Sequence, residues 1–102
     1  MKLKEGVRLI GLHNQMVVAM LVCSSVFGKL GQELVITSVV EGKHKDGSLH
    51  YSGQAFDLRT RNMSRYRARL ITAELKHRLP TDFDIILESN HIHIEYQPKK
   101  QY

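Results

Sequence analysis

Between residues 14 and 30 the side chains Met16, Val17, Met20, Leu21, Ser24 and Phe27 recur three or four positions apart, the spacing that gathers them on one side of a helix. Gly28 and Gly31 stand where such a helix would end. Residues 33–40 are rich in β-branched types and bounded by glycines, which predicts a strand. Residues 54–58 alternate, with Ala55 and Asp57 on one face and Phe56 and Leu58 on the other. A second helix is expected over residues 65–79, capped from Asn62-Met-Ser64, with Tyr66, Leu70, Ala73 and His77 sharing one side and Pro80 marking the exit. Residues 83–87 and 91–96 read as two short strands joined by a hairpin-like turn at 88–90. In the last strand His91, His93 and Glu95 alternate with Ile92, Ile94 and Tyr96. The tail from Gln97 is polar and expected to fray.

Few strands, interrupted by helices without a regular βαβ rhythm, predict an α+β architecture: a small antiparallel sheet with helices packed on one side. At 102 residues and 42% hydrophobic the chain suits one core, hence a single domain over residues 1–102. The longest apolar run, Met16 to Val22, falls well short of the roughly twenty residues of a membrane helix, so no membrane span is expected. The amino terminus, Met-Lys-Leu-Lys-Glu-Gly, lacks the apolar core and cleavage site of a secretory signal, which points to synthesis in the cytoplasm. Cys23 is the single cysteine and lies in an apolar helical pattern, so it is expected to be a buried, unreactive thiol with no intrachain disulfide. The net charge is +5, with Arg59, Arg61, Arg65, Arg67 and Arg69 close together in sequence. Such a basic run attracts polyanions or simply forms a solvated helix face. No nucleic-acid motif accompanies it, and Tyr66 is the one interleaved aromatic, so nucleic acid is not the expected partner.

The candidate chemistry lies in two segments, Ser48-Leu-His-Tyr-Ser-Gly-Gln-Ala-Phe-Asp57 and Glu88-Ser-Asn-His-Ile-His93. Catalytic zinc is usually held by three protein ligands with a fourth position left for water, and His50, Asp57 and one of His91 or His93 supply that count. Gly53 permits a tight reversal after His50, and the small Ala55 leaves room for a substrate beside the metal. The isolated histidines His13, His44 and His77 are expected to be surface residues, His77 at a helix end where a cation suits the dipole, with lining of the cleft left open for His44 in the polar loop close in sequence to the site.

The run from Ser48 to Asp57 fits the pattern Ser-x-His-x-x-Gly-x-Ala-x-Asp at every fixed position. With the His-x-His strand behind it, this resembles the zinc D-alanyl-D-alanine carboxypeptidases, D-Ala-D-Ala dipeptidases, phage L-alanyl-D-glutamate endopeptidases and the amino-terminal domain of Hedgehog proteins, over about residues 10 to 97. The resemblance implies the Hedgehog/DD-peptidase fold near its minimal length, zinc as cofactor, and His50 and Asp57 as ligands. His93 is the preferred third ligand because His93-Ile-Glu-Tyr resembles the family's continuation into a hydrophobic strand. His91 then bonds substrate or stabilises the oxyanion. The reversed assignment stays open, since Glu88 precedes His91 by three residues, as the general base precedes the metal histidine in several members. Glu88 is the base in either case. Ser48, Tyr51 and Arg59 are the candidates for substrate contact, Ser48 as a hydrogen-bonding loop residue rather than a nucleophile.

The implied function is a zinc metallopeptidase acting on peptidoglycan stem peptides, a phage-type endolysin that reaches the cell wall after release and works as a monomer. Family exopeptidases carry a substrate-positioning arginine in a Ser-Gly-Tyr-Arg-like segment before the metal loop. Thr37-Ser-Val-Val-Glu41 occupies that stretch here, which favours an endopeptidase. The alternatives are a D-Ala-D-Ala carboxypeptidase and a non-catalytic zinc-bound binding module.

Overall fold

The sequence folds into the order β1 (Lys2–Leu3), α1 (Asn14–Lys29), β2 (Val35–Ser38), β3 (Ala55–Arg59), α2 (Arg65–Arg78), β4 (Phe83–Leu87) and β5 (His91–Tyr96). This is a computed structural model, and it describes residues 1–39 and 53–98. The strands form one sheet in the order β1-β2-β3-β5-β4. The α+β class is as expected, but the sheet is mixed: β1 runs parallel to β2, and every other pairing is antiparallel. Two residues were too short a pattern to announce β1 from the sequence.

Each helix is closed by local chemistry. The ring of His13 accepts the backbone N–H of Gln15 at the start of α1, and the Ser64 hydroxyl accepts that of Arg67 at the start of α2. At its far end α1 stops in a left-handed Gly31 at φ 63°, where Gln32 N–H reaches Phe27 O and Gly31 N–H reaches Gly28 O. These two bonds satisfy carbonyls that the helix itself leaves open. Arg67 then donates to Leu30 O at 2.7 Å, tying α2 to the end of α1.

In α2 the inward side differs from the one the spacing suggested, and in α1 it agrees in part, at Met16, Met20 and Phe27. In α1 the buried set is Met16, Ala19, Met20, Cys23, Val26 and Phe27, while Val17, Leu21 and Ser24 face outward, Leu21 at 67% exposure. The helix is apolar nearly all round, so its pattern does not single out one face. In α2 the buried set is Ala68, Ile71, Thr72 and Leu75, whereas Tyr66, Leu70, Ala73 and His77 are exposed, Tyr66 at 76%. Thr72 can face the core because its hydroxyl donates to Ala68 O at 2.7 Å.

One core lies between the helices and one face of the sheet, joining the buried residues of α1 and Ile71 and Leu75 of α2 to Ile36, Phe56, Leu58, Ile85, Ile92 and Ile94. Cys23 is part of it, and burial pushes its thiol up to about 12, which leaves it un-ionised and inert. No helix among the described residues is long and apolar enough to cross a membrane.

Candidate functional site

Strands β3 and β5 occupy the middle of the sheet and pair in the register Ala55↔Glu95, Asp57↔His93 and Arg59↔His91. Phe56, Leu58, Ile92 and Ile94 are fully buried toward the helices, so alternation sends Asp57, Arg59, His91, His93 and Glu95 to the opposite face. The expected split of each strand into an apolar and a chemical face is therefore present.

Asp57 Oδ1 lies 2.9 Å from His93 Nδ1, and Glu95 Oε1 lies 3.1 Å from His93 Nε2. The imidazole is thus held between two carboxylates, each able to accept a ring N–H. The hydrogen bond to Asp57 raises the His93 pKa above its ordinary value, the charges of Asp57 and Glu95 add to the rise, and desolvation opposes it. Asp57 and His93 side chains are only 13% and 17% exposed, so the pair is sheltered from solvent screening.

One turn away, Glu88 Oε2 meets His91 Nε2 at 2.6 Å, and Asn90 Oδ1 meets His91 Nδ1 at the same distance. The β4–β5 hairpin makes this possible by closing Glu88 N–H onto His91 O at 2.8 Å. Arg65, in the first turn of α2, braces the turn by donating to Glu88 O at 2.8 Å. Asp57 Oδ2 stands 3.9 Å from His91 Nε2. Glu88, His91, Asp57, His93 and Glu95 accordingly form one continuous chain of contacts along the open face.

Of the residues singled out from the sequence, Asp57, His91, His93 and Glu88 come together in this chain. Arg59 shares their face, and its Nε is buried without a hydrogen-bond partner. His50, Ser48, Tyr51 and His44 lie outside the described residues. Among the described residues no group of three or more His, Cys, Asp or Glu is arranged to hold a metal ion; the set implied by resemblance includes His50. Glu95, Asn90 and Arg65 were given no role in advance. Glu95 was legible from the His-x-His-x-Glu alternation, Asn90 from its place beside His91, and Arg65 from nothing local, because its contact spans 23 residues.

The five neighbouring arginines do not act as one basic face. Arg65 and Arg67 are spent on backbone carbonyls, and Arg59 belongs to the sheet. His13, expected as a plain surface residue, caps α1, packs its ring 5.3 Å from that of Tyr96, and sends its backbone N–H to Gly53 O. His77 is exposed in the last turn of α2 with Lys76 and Arg78, as the dipole argument expects.

Gly53 has φ 74°, and a Cβ there would fall 1.8 Å from Gly11 O. The motif's glycine is therefore required twice, by its backbone angle and by the segment lying against it. Ala55, the motif's small residue, is fully buried. Comparison with known proteins finds no matching family model, no matching curated protein and no matching solved structure.

Proposed function

We propose that the chain is a zinc-dependent peptidase that hydrolyses an amide bond of peptidoglycan stem peptides, acting within the peptide rather than at its end. The observation that carries this reading is the cross-strand pair Asp57–His93, 2.9 Å apart on a sheltered face, with a second carboxylate–imidazole pair, Glu88–His91, beside it. A carboxylate oxygen and an imidazole nitrogen are donor types that zinc takes, so the residues present fit the metal. His50, Asp57 and His93 are the proposed ligands. Glu95, on the second nitrogen of His93, then plays the orienting part that carboxylates commonly play behind a ligand histidine.

Zinc bound there supplies a polarised water at neutral pH. Glu88 is the group that takes the proton from the attacking water and returns it to the leaving amine. His91, bonded to Glu88 through Nε2 and to Asn90 through Nδ1, each at 2.6 Å, steadies that carboxylate, and the oxyanion role that the resemblance gives it requires one of these two bonds to open when substrate binds. The direct opposition of Asp57 and His93 in the register supports His93 over His91 as third ligand, since His91 faces Arg59 instead. The stretch before the metal loop lacks an arginine, which supports cleavage within the stem, at the L-alanyl-D-glutamate bond by resemblance.

Digestion of purified peptidoglycan with mass spectrometry of the products tests the proposal. The expected result is about one zinc per chain and products cut inside the stem. Dominant release of free D-alanine would replace the endopeptidase with a carboxypeptidase. Stoichiometric zinc without hydrolysis would leave a binding module, and undiminished zinc in both His50→Ala and Asp57→Ala would remove the metal site.

A further inference from the structure

Arg59 is the one basic side chain on the site's face of β3, directly across the ladder from His91 and two residues from Asp57. Three carboxylates line the same chain of contacts, yet Asp57 and Glu95 are engaged with His93 and Glu88 with His91. Arg59 Nε is buried and makes no hydrogen bond. A buried N–H left unpaired is costly, and native proteins rarely keep one without use. Nε itself has no accessible surface, so an incoming carboxylate meets the two terminal nitrogens of this half-buried residue, whose end-on fork also fits the two oxygens of a carboxylate.

We infer that Arg59 is the specificity residue of this site, binding a free carboxylate of the substrate peptide next to the bond that is cut. The inference rests on the proposed peptidase reading and adds the substrate class: an anionic peptide rather than a neutral one. In a stem peptide cut at the L-alanyl-D-glutamate bond the carboxylate beside the scissile amide is the α-carboxylate of the γ-linked D-glutamate, whereas the terminal carboxylate lies beside the cut only in the carboxypeptidase alternative. Both present the same chemistry to the guanidinium. Because Arg59 lies on a central strand, it holds the anion in a fixed place relative to Asp57 and His91, which a loop arginine would not do.

Four synthetic L-Ala-γ-D-Glu-L-Lys-D-Ala-D-Ala peptides test this, with each of the two carboxylates present either free or as its amide. Their dissociation constants are measured by calorimetry on the full zinc-loaded chain carrying Glu88→Gln, so that the probe is not consumed, with and without Arg59→Ala. Arg59→Ala is expected to weaken binding about tenfold or more for peptides retaining one particular carboxylate and to leave the doubly amidated peptide unchanged. Which carboxylate shows the effect identifies its source. Arg59→Lys should recover only part of the loss, because an ammonium offers no fork. Should Arg59→Ala fail to fold, Arg59→Gln takes its place with the same expected loss. Equal weakening of all four peptides, or of none, would overturn the inference. Failure of the peptidase reading shows separately, as absence of hydrolysis by the unsubstituted chain.

Discussion

Glu88 and His93 illustrate two ways in which a carboxylate and an imidazole serve one site. Glu88 is about half exposed and is held at its turn mostly through backbone bonds. Its replacement by Gln keeps the size of the side chain and removes the proposed base. Glu88→Gln should therefore retain zinc and melting temperature while turnover falls by about two to four orders of magnitude; unaltered turnover would reject it as the base. His93 is sheltered, and its two carboxylate neighbours stabilise the protonated ring. A folded pKa above the ordinary 6.5 means that the folded, zinc-free protein holds the proton more tightly than the unfolded chain. That stabilisation is fully present below about pH 6.5 and disappears as pH rises through the higher folded value. Chelator-treated protein should thus lose melting temperature across that window, and His93→Gln should flatten the slope. A slope that survives His93→Gln would assign the effect to another group.

At the scale of elements, the strands were more legible than the helices. Alternation has only two phases, so Phe56 and Leu58 on one side of β3 and Ile92 and Ile94 on one side of β5 could be assigned from the sequence, and with them the chemical face. The helices offered a choice of sides. In α1 an almost unbroken apolar run left the inward face undetermined, and in α2 the inward residues include a threonine whose hydroxyl is satisfied only by the helix's own backbone. Arg65 was illegible for a different reason: it reaches the 88–90 turn through tertiary structure alone. Gly53 was legible in part. The sequence implied a reversal there, but not that the residue 9–13 segment would lie against it. Gly53→Ala should cost roughly 3 kcal/mol or more, since the new Cβ would collide with backbone that has no rotamer to escape into. For a domain of this size that is a fall of about 10 °C or more in melting temperature. A variant melting like the parent would show that the two segments separate without cost.

The whole molecule places its chemistry in the middle of the sheet. In the order β1-β2-β3-β5-β4, the strands bearing Asp57 and His93 each have a neighbour on both sides, and their other faces form the centre of the core. Glu88 belongs instead to a hairpin turn at the end of the ladder. Amide hydrogens exchange with solvent only when the local structure opens, and central strands usually open last. The amides of Asp57 and His93 should then exchange only when the entire domain unfolds, whereas those of residues 88–90 should exchange sooner. On the proposed peptidase reading, thermal inactivation would proceed in two separable stages, an early loss of turnover as the turn loosens and a later loss of metal as the sheet comes apart. Such a molecule, warmed part of the way and cooled again, would regain its activity by re-closing a single turn.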